Sequence, residues 1–149
     1  MFKRISYEED LNARQKENFN FQKVASTLAD YGFNCIRLSD DWQGADFLAC
    51  HIDGKTFMKI QLKGRLTFDK KFRGKDIYIA FNECKKCKKR GQCNCNEGRK
   101  WYIYPHDELL KKFFGLGLLK GRKAWDNDGK FTFPRLSIKL KELMVQYAK

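Results

Sequence analysis

GADFLACHIDGKTFMKIQLKGR, residues 44–65, decides how this chain folds. Two apolar-rich runs flank Asp53-Gly54, and an Asp-Gly pair between such runs is a strong hairpin signal. With Asp53 and Gly54 as the two loop residues, Ile52 stands opposite Lys55. Counting back along both strands sets Asp46 opposite Gln61 and Gly44 opposite Lys63. Side chains alternate across a strand, so Asp46, Gln61 and Lys63 share one face. Phe47, Ala49, Met58, Ile60 and Leu62 then point to a core on the other. The expectation is one carboxylate, one amide and one ammonium gathered on one side of a sheet.

Working outward, the chain reads as helix, three strands, two more strands with an insertion, then helices. Ser6 followed by Glu9 fits a capping box and sets a helix start. Phe21, Val24, Ala25, Leu28 and Tyr31 form a helical stripe that Gly32 stops. Phe33–Leu38 reads as a strand and Ser39–Gly44 as a polar loop. Beyond the hairpin, Ile77–Phe81 and Trp101–Tyr104 alternate as strands, and Pro105 ends the second. Asp107–Phe114 reads as a short helix broken by Gly115 and Gly117. Trp125–Phe133 reads as a turn with short extended pieces. Ser137 caps a last helix whose stripe is Leu136, Leu140, Leu143, Met144 and Tyr147. That order predicts one mixed α/β (α+β) domain over 1–149, with helices covering a central sheet.

Composition narrows the partners. The chain has 149 residues, 42% of them hydrophobic, with only two prolines, which argues against global disorder. No apolar run is long enough to cross a bilayer, and the charged start lacks the apolar stretch of a signal peptide. A cytoplasmic protein without a membrane partner is expected. Net charge is +13, unevenly spread. Residues 1–58 carry 7 basic and 9 acidic side chains, whereas residues 59–100 carry 14 and 4. The positive charge begins at the hairpin and continues past it. Such asymmetry predicts a polyanionic partner, nucleic acid before an anionic membrane surface. The alternative is a solvated basic surface.

The shared face has the chemistry for phosphodiester hydrolysis. A hard divalent cation such as Mg²⁺ takes oxygen ligands, commonly one or two carboxylates plus waters and substrate. It lowers the pKa of a bound water and polarises the phosphate. Asp46 supplies a carboxylate, Gln61 a side-chain or backbone oxygen, and Lys63 a charge for the water or the transition state. An ordinary hairpin with a polar face fits the same spacing.

Cys84, Cys87, Cys93 and Cys95 place four thiols within twelve residues. Such spacing suits a closed tetrahedral Zn²⁺ site forming a knuckle over 83–99. An iron–sulfur cluster and free thiols are the alternatives. Lys85, Lys86, Lys88, Lys89 and Arg90 would make that knuckle a grip on nucleic acid, with Arg65 beside the hairpin. Cys35 and Cys50 read as core residues. His51 falls on the core face and His106 precedes a helix, and neither has the neighbours of a Ser-His-Asp arrangement. Trp101 reads as core, while Trp42, beside the Asp40-Asp41 loop, is placed where it could touch substrate.

GADF, a hairpin and QLKGR together resemble the restriction-endonuclease-like PD-(D/E)XK nuclease superfamily, in its QxK variant. The helix ending at Tyr31-Gly32-Phe33 and the later WYIYPHDEL match the layout of small members, such as Holliday-junction resolvases and intron homing enzymes. The resemblance spans about residues 17–110. It implies an αβββαβ core and an endonuclease using Mg²⁺ or Mn²⁺ on DNA. By that likeness Asp46 binds metal, Gln61 stands at the usual Glu or Asp, and Lys63 is the catalytic Lys. Gln61 is neutral, so a further acid is expected to help. Glu17, Gln22, Asp40 and Asp41 are the accessory candidates. Without such help the site would be a weak or inactive nuclease that still binds nucleic acid. A zinc-knuckle adaptor for a protein partner is a third reading. A homodimer fits enzymes that cut both strands.

Overall fold

Asn12, rather than Ser6, starts the first helix. Its side chain accepts from the Gln15 amide at 2.9 Å, and Gln15 Oε1 accepts from the Asn12 amide at 2.9 Å. This reciprocal box opens α1 (Ala13–Ala29). The Ser6 signal closes one turn only. Ser6 Oγ accepts from Glu9 N at 3.3 Å, but Asp10 reaches back to the Ser6 amide at 2.7 Å and seals the turn. The computed structural model describes residues 1–84 and 99–149. Val24 and Leu28 of the predicted stripe are buried and Phe21 partly so. Tyr31 is exposed, because the helix ends before it and Gly32 turns away with φ +80°.

Five strands form one mixed sheet: β1 (Phe33–Trp42), β2 (Ala45–His51), β3 (Phe57–Leu62), β5 (Ile77–Cys84) and β6 (Arg99–Pro105), in spatial order β1-β2-β3-β5-β6. Among the described strands only β3 and β5 run parallel. Their crossover contains β4 (Thr67–Asp69) and a 3₁₀ turn, Lys70–Phe72. The α-helix that an αβββαβ order places between the third and fourth strands of the sheet is therefore replaced by a shorter device. β4 pairs with β7 (Lys130–Thr132) in a second, two-stranded sheet. The helices α2 (His106–Gly115), α3 (Lys123–Asp128) and α4 (Ile138–Met144) complete the fold. The architecture is mixed α+β, a five-stranded sheet with flanking helices.

Three further expectations are corrected. Residues 39–42 continue β1 as strand, through an irregularity in the β1–β2 register between Arg37 and Trp42. The tight two-residue turn is Gln43-Gly44, with φ of 56° and 85°. Both values lie in the left-handed region that the commonest hairpin turn needs. The Asp53-Gly54 bend is wider, because only Gly54 has a positive φ there. Asp53 instead accepts from Lys55 N and Thr56 N, each at 2.8 Å, and from Thr56 Oγ1 at 2.6 Å. The loop gains one residue on each side, so the strand register is unchanged. Finally, Lys123–Asp128 is helical within the region read as a turn, and Gly129 ends it with φ +68°.

Each sheet face has its own core. On one, α1 packs Val24 and Leu28 against Phe47, Ala49, Ile60, Ala80, Trp101 and Ile103. On the other, Ile77, Ile79, Phe81 and Tyr104 meet Phe68, Phe72, Leu109 and Phe113. Burying each large side chain contributes about 1.5–3 kcal/mol, and the candidate site lies at the margin of the second face. No helix among the described residues is long and apolar enough to cross a membrane.

Candidate active site

The β2–β3 ladder pairs Phe47 with Ile60, Leu48 with Lys59 and Ala49 with Met58. One step further in that register sets Asp46 against Gln61, as the sequence predicts. Alternation sends Phe47 and Ile60 into the α1 core and turns Asp46 and Gln61 to the opposite face. Gln61 is also the parallel partner of Ile79, which lines the second core.

The side chains meet. Gln61 Nε2 donates to Asp46 Oδ2 at 2.7 Å, and the Leu62 backbone amide donates to the same oxygen at 2.8 Å. Asp46 Oδ1 accepts no hydrogen bond among the described residues. Burial raises the Asp46 pKa above its ordinary value. The Leu62 amide and Lys63 oppose that shift, while the charges of Glu17 and Asp41 add to it. The carboxylate is half-buried and held by two donors, and the effect of burial outweighs theirs.

Lys63 is half-buried on the same face. Burial lowers its pKa first, then Lys71 and Lys130, against the pull of Asp46 and Asp69. Its ammonium makes no ion pair or hydrogen bond among the described residues and lies 5.5 Å from the centre of the Phe72 ring. Phe72 also backs Gly44: a Cβ there would come within 3.1 Å of the ring, so only glycine fits this left-handed position without a shift. The 3₁₀ turn thus sets one aromatic wall under both ends of the expected Gly44–Lys63 pair.

The accessory candidates divide. Glu17 and Asp41 lie close enough to act on the Asp46 charge. Glu17 is also bound to Arg37 at 3.2 Å, so part of its charge is already offset. Asp40 is exposed and has no described effect on Asp46. Gln22 is exposed and sits about 140° around α1 from Glu17. Among the described residues no group of three or more His, Cys, Asp or Glu gathers as a metal site. Among the described residues the donor set open to a hard cation is therefore spare: Asp46 Oδ1, with water left to fill the rest of a shell. Gln61 presents its NH₂ to the carboxylate. An amide flip, which a two-fold terminal torsion permits, would bring its oxygen round.

Arg65 is exposed just past β3. Cys84 ends β5 and is the register partner of Arg99. Cys87, Cys93, Cys95, Lys85, Lys86, Lys88, Lys89 and Arg90 lie outside the described residues. Cys35 is partly buried, and burial with the neighbouring Cys50 pushes its thiol up to about 11. His51 packs on Phe33 with ring centroids 4.9 Å apart, at the other end of β2 from Asp46. His106 is buried and structural: Nε2 accepts from Asp69 N at 3.1 Å, and Nδ1 lies 2.8 Å from Asp107 Oδ1. Trp101 is buried as expected, and Trp42 is exposed at the β1–β2 turn.

Sequence reasoning missed Leu62 N, Phe72, Lys71 and Lys130. The Leu62 amide carries no side-chain signal. The others are brought in by the crossover and by β7, about 70 residues along the chain from the hairpin. A scan of family models finds no match to this chain, and comparisons with curated proteins and with solved structures likewise return none.

Proposed function

We propose that this chain is a divalent-cation-dependent endonuclease-like protein that hydrolyses phosphodiester bonds in DNA, built on a restriction-endonuclease-like PD-(D/E)XK core whose crossover helix is replaced by β4 and the Lys70–Phe72 turn. One observation carries the reading: Asp46, hydrogen-bonded to Gln61, shares a half-buried face with Lys63, whose ammonium has no acceptor among the described residues. A half-buried cation without a counter-ion is costly unless a ligand completes it.

Asp46 Oδ1 would hold Mg²⁺ or Mn²⁺, with Gln61 as a neutral second ligand after an amide flip and Glu17 or Asp41 adding charge from outside. When bound, the ion neutralises the phosphate and lowers the pKa of a coordinated water. Lys63 orients the attacking water and offsets charge that develops on the phosphate oxygens. The Leu62 amide keeps Asp46 aimed at the site.

The same reading assigns a structural Zn²⁺ to Cys84, Cys87, Cys93 and Cys95, in a cytoplasmic setting where thiols stay reduced. Lys85, Lys86, Lys88, Lys89, Arg90 and Arg65 would grip the backbone. A second reading is a nucleic-acid-binding module that does not cut. It is favoured by the amide nitrogen, where a second carboxylate would bind metal more tightly.

Cleavage separates the two. Plasmid and single-stranded DNA are incubated with the purified chain in Mg²⁺, Mn²⁺ or EDTA, beside Asp46→Ala and Lys63→Ala. The nuclease reading expects metal-dependent cutting that both substitutions abolish. Salt-sensitive binding with no cutting under any metal would leave only the module.

A further inference from the structure

The small β4–β7 sheet brings lysines to the Asp46 face that no reading of the hairpin includes. Lys71, in the 3₁₀ turn after β4, holds its ammonium 4.9 Å from the Phe72 ring centre, and Lys63 lies 5.5 Å from the same ring. Lys130 begins β7 directly opposite Asp69. Both Lys71 and Lys130 are close enough to Lys63 for their charges to act on it. Two ammonium groups thus border one buried aromatic wall, and Lys130 adds a third positive charge from the strand opposite Asp69.

Their counter-charge is thin. Asp69 Oδ2 is 3.9 Å from Lys71, while Asp69 Oδ1 accepts from the Lys71 amide at 3.0 Å. That carboxylate is mostly buried, and capping the 3₁₀ turn already engages it. Lys130 has no ion pair among the described residues. Like charges held together in this way repel, and an anion between them would relieve the repulsion.

The positions are also held firmly. The Lys70 amide donates to Gly129 O at 2.7 Å, joining the turn to the residue before Lys130. A Cβ at Gly129 would fall within 3.1 Å of three carbons of the Lys70 side chain, so glycine lets the two segments close. Lys70 itself is turned aside, with its ammonium over the Trp125 ring at 5.2 Å. Asp69 N is tied to His106. The cations are therefore mounted on a braced ledge.

We propose that Lys71 and Lys130, together with Lys63, form a binding site for a backbone phosphate of duplex DNA beside the bond aligned at Asp46. The inference rests on the nuclease reading for its substrate. It differs from that reading in naming two residues of the second sheet as binding groups that position the strand without touching the reacting atoms.

Binding is measured in the Asp46→Asn background with a fluorescein-labelled random-sequence duplex, at several salt concentrations. Lys71→Gln and Lys130→Gln are each expected to weaken affinity about threefold to tenfold and to reduce the log–log salt slope by about 0.9. The double substitution should reduce the slope by about twice as much. Lys71→Arg should bind like the parent, and Lys139→Gln on α4 serves as the reference for general loss of charge. Melting curves confirm that each variant is folded. Slopes for Lys71→Gln and Lys130→Gln equal to that of Lys139→Gln would overturn the proposal, as would a parent that binds no duplex. With the Asp46 side chain present, the ledge variants should raise KM with little change in kcat. If the parent binds DNA through these lysines but never cuts, the nuclease reading fails and the ledge stands. If it cuts and the ledge variants bind normally, the reverse holds.

Discussion

Asp46 is ionised at a stability cost. Its folded-state pKa lies above the ordinary value of 3.8, chiefly through burial. Between those two values the folded chain binds more protons than the unfolded one, so stability falls as pH rises through that window and stays lower above it. Asp46→Asn should therefore melt higher than the parent at pH 7, and the gap should close in acid. The same variant should not cut DNA, and calorimetry beside the cleavage assay checks both. Gln61→Glu should act in the opposite sense. A second carboxylate 2.7 Å from Asp46 would repel it, lowering the melting temperature in EDTA and making Mg²⁺ stabilising. Gly44→Val should cost about 1–3 kcal/mol, because it strains a left-handed backbone and crowds the Phe72 ring. Urea denaturation measures that loss.

Elements were legible where local chemistry and tertiary packing agree. The hairpin register holds although the tight turn lies at the other end of β2, because each strand face is selected by burial and a one-residue slip would invert it. Asp53-Gly54 looked like the tight turn, yet the positive φ pair falls on Gln43-Gly44, a dipeptide with a weaker signal. Residues 39–42 looked like a loop because Ser and two Asp are poor strand formers. They extend β1 because an edge strand leaves its polar side chains in water. Two caps competed for α1, and the reciprocal Asn12–Gln15 pair defines the helix start. Asn12→Ala should thus cost about 1 kcal/mol, and Ser6→Ala clearly less, by thermal or chemical melting. The Lys123–Asp128 helix was not legible, since six residues give too little periodicity to read.

At the scale of the molecule, one tyrosine joins the two sheets. Tyr104 of β6 donates its hydroxyl to Thr67 O at 2.6 Å and accepts from Thr67 N at 3.2 Å. Thr67 opens β4, so this bond anchors the ledge that bears Lys71 and faces Lys130. Tyr104→Phe would leave both backbone groups of Thr67 buried without that partner, at a cost of about 1–3 kcal/mol. It should also weaken duplex binding more than the lost stability alone explains, which fluorescence anisotropy well below the melting point would show. The acid–amide pair was readable because it is local to one hairpin. The cations around it were not, because they converge through a crossover and a distant strand.

The crossover between β3 and β5 also bears on the order of assembly. Asp46 and Gln61 are joined by a short loop, whereas the Lys130 ledge needs contacts about 60 residues apart in sequence. We expect the Leu62 amide, donated to Asp46, to gain protection in pulse-labelled hydrogen exchange before the Thr67 amide does. A nascent chain would then carry its acid–amide pair before the lysine ledge has formed, so that under the proposed function any cutting would await the last tertiary contacts.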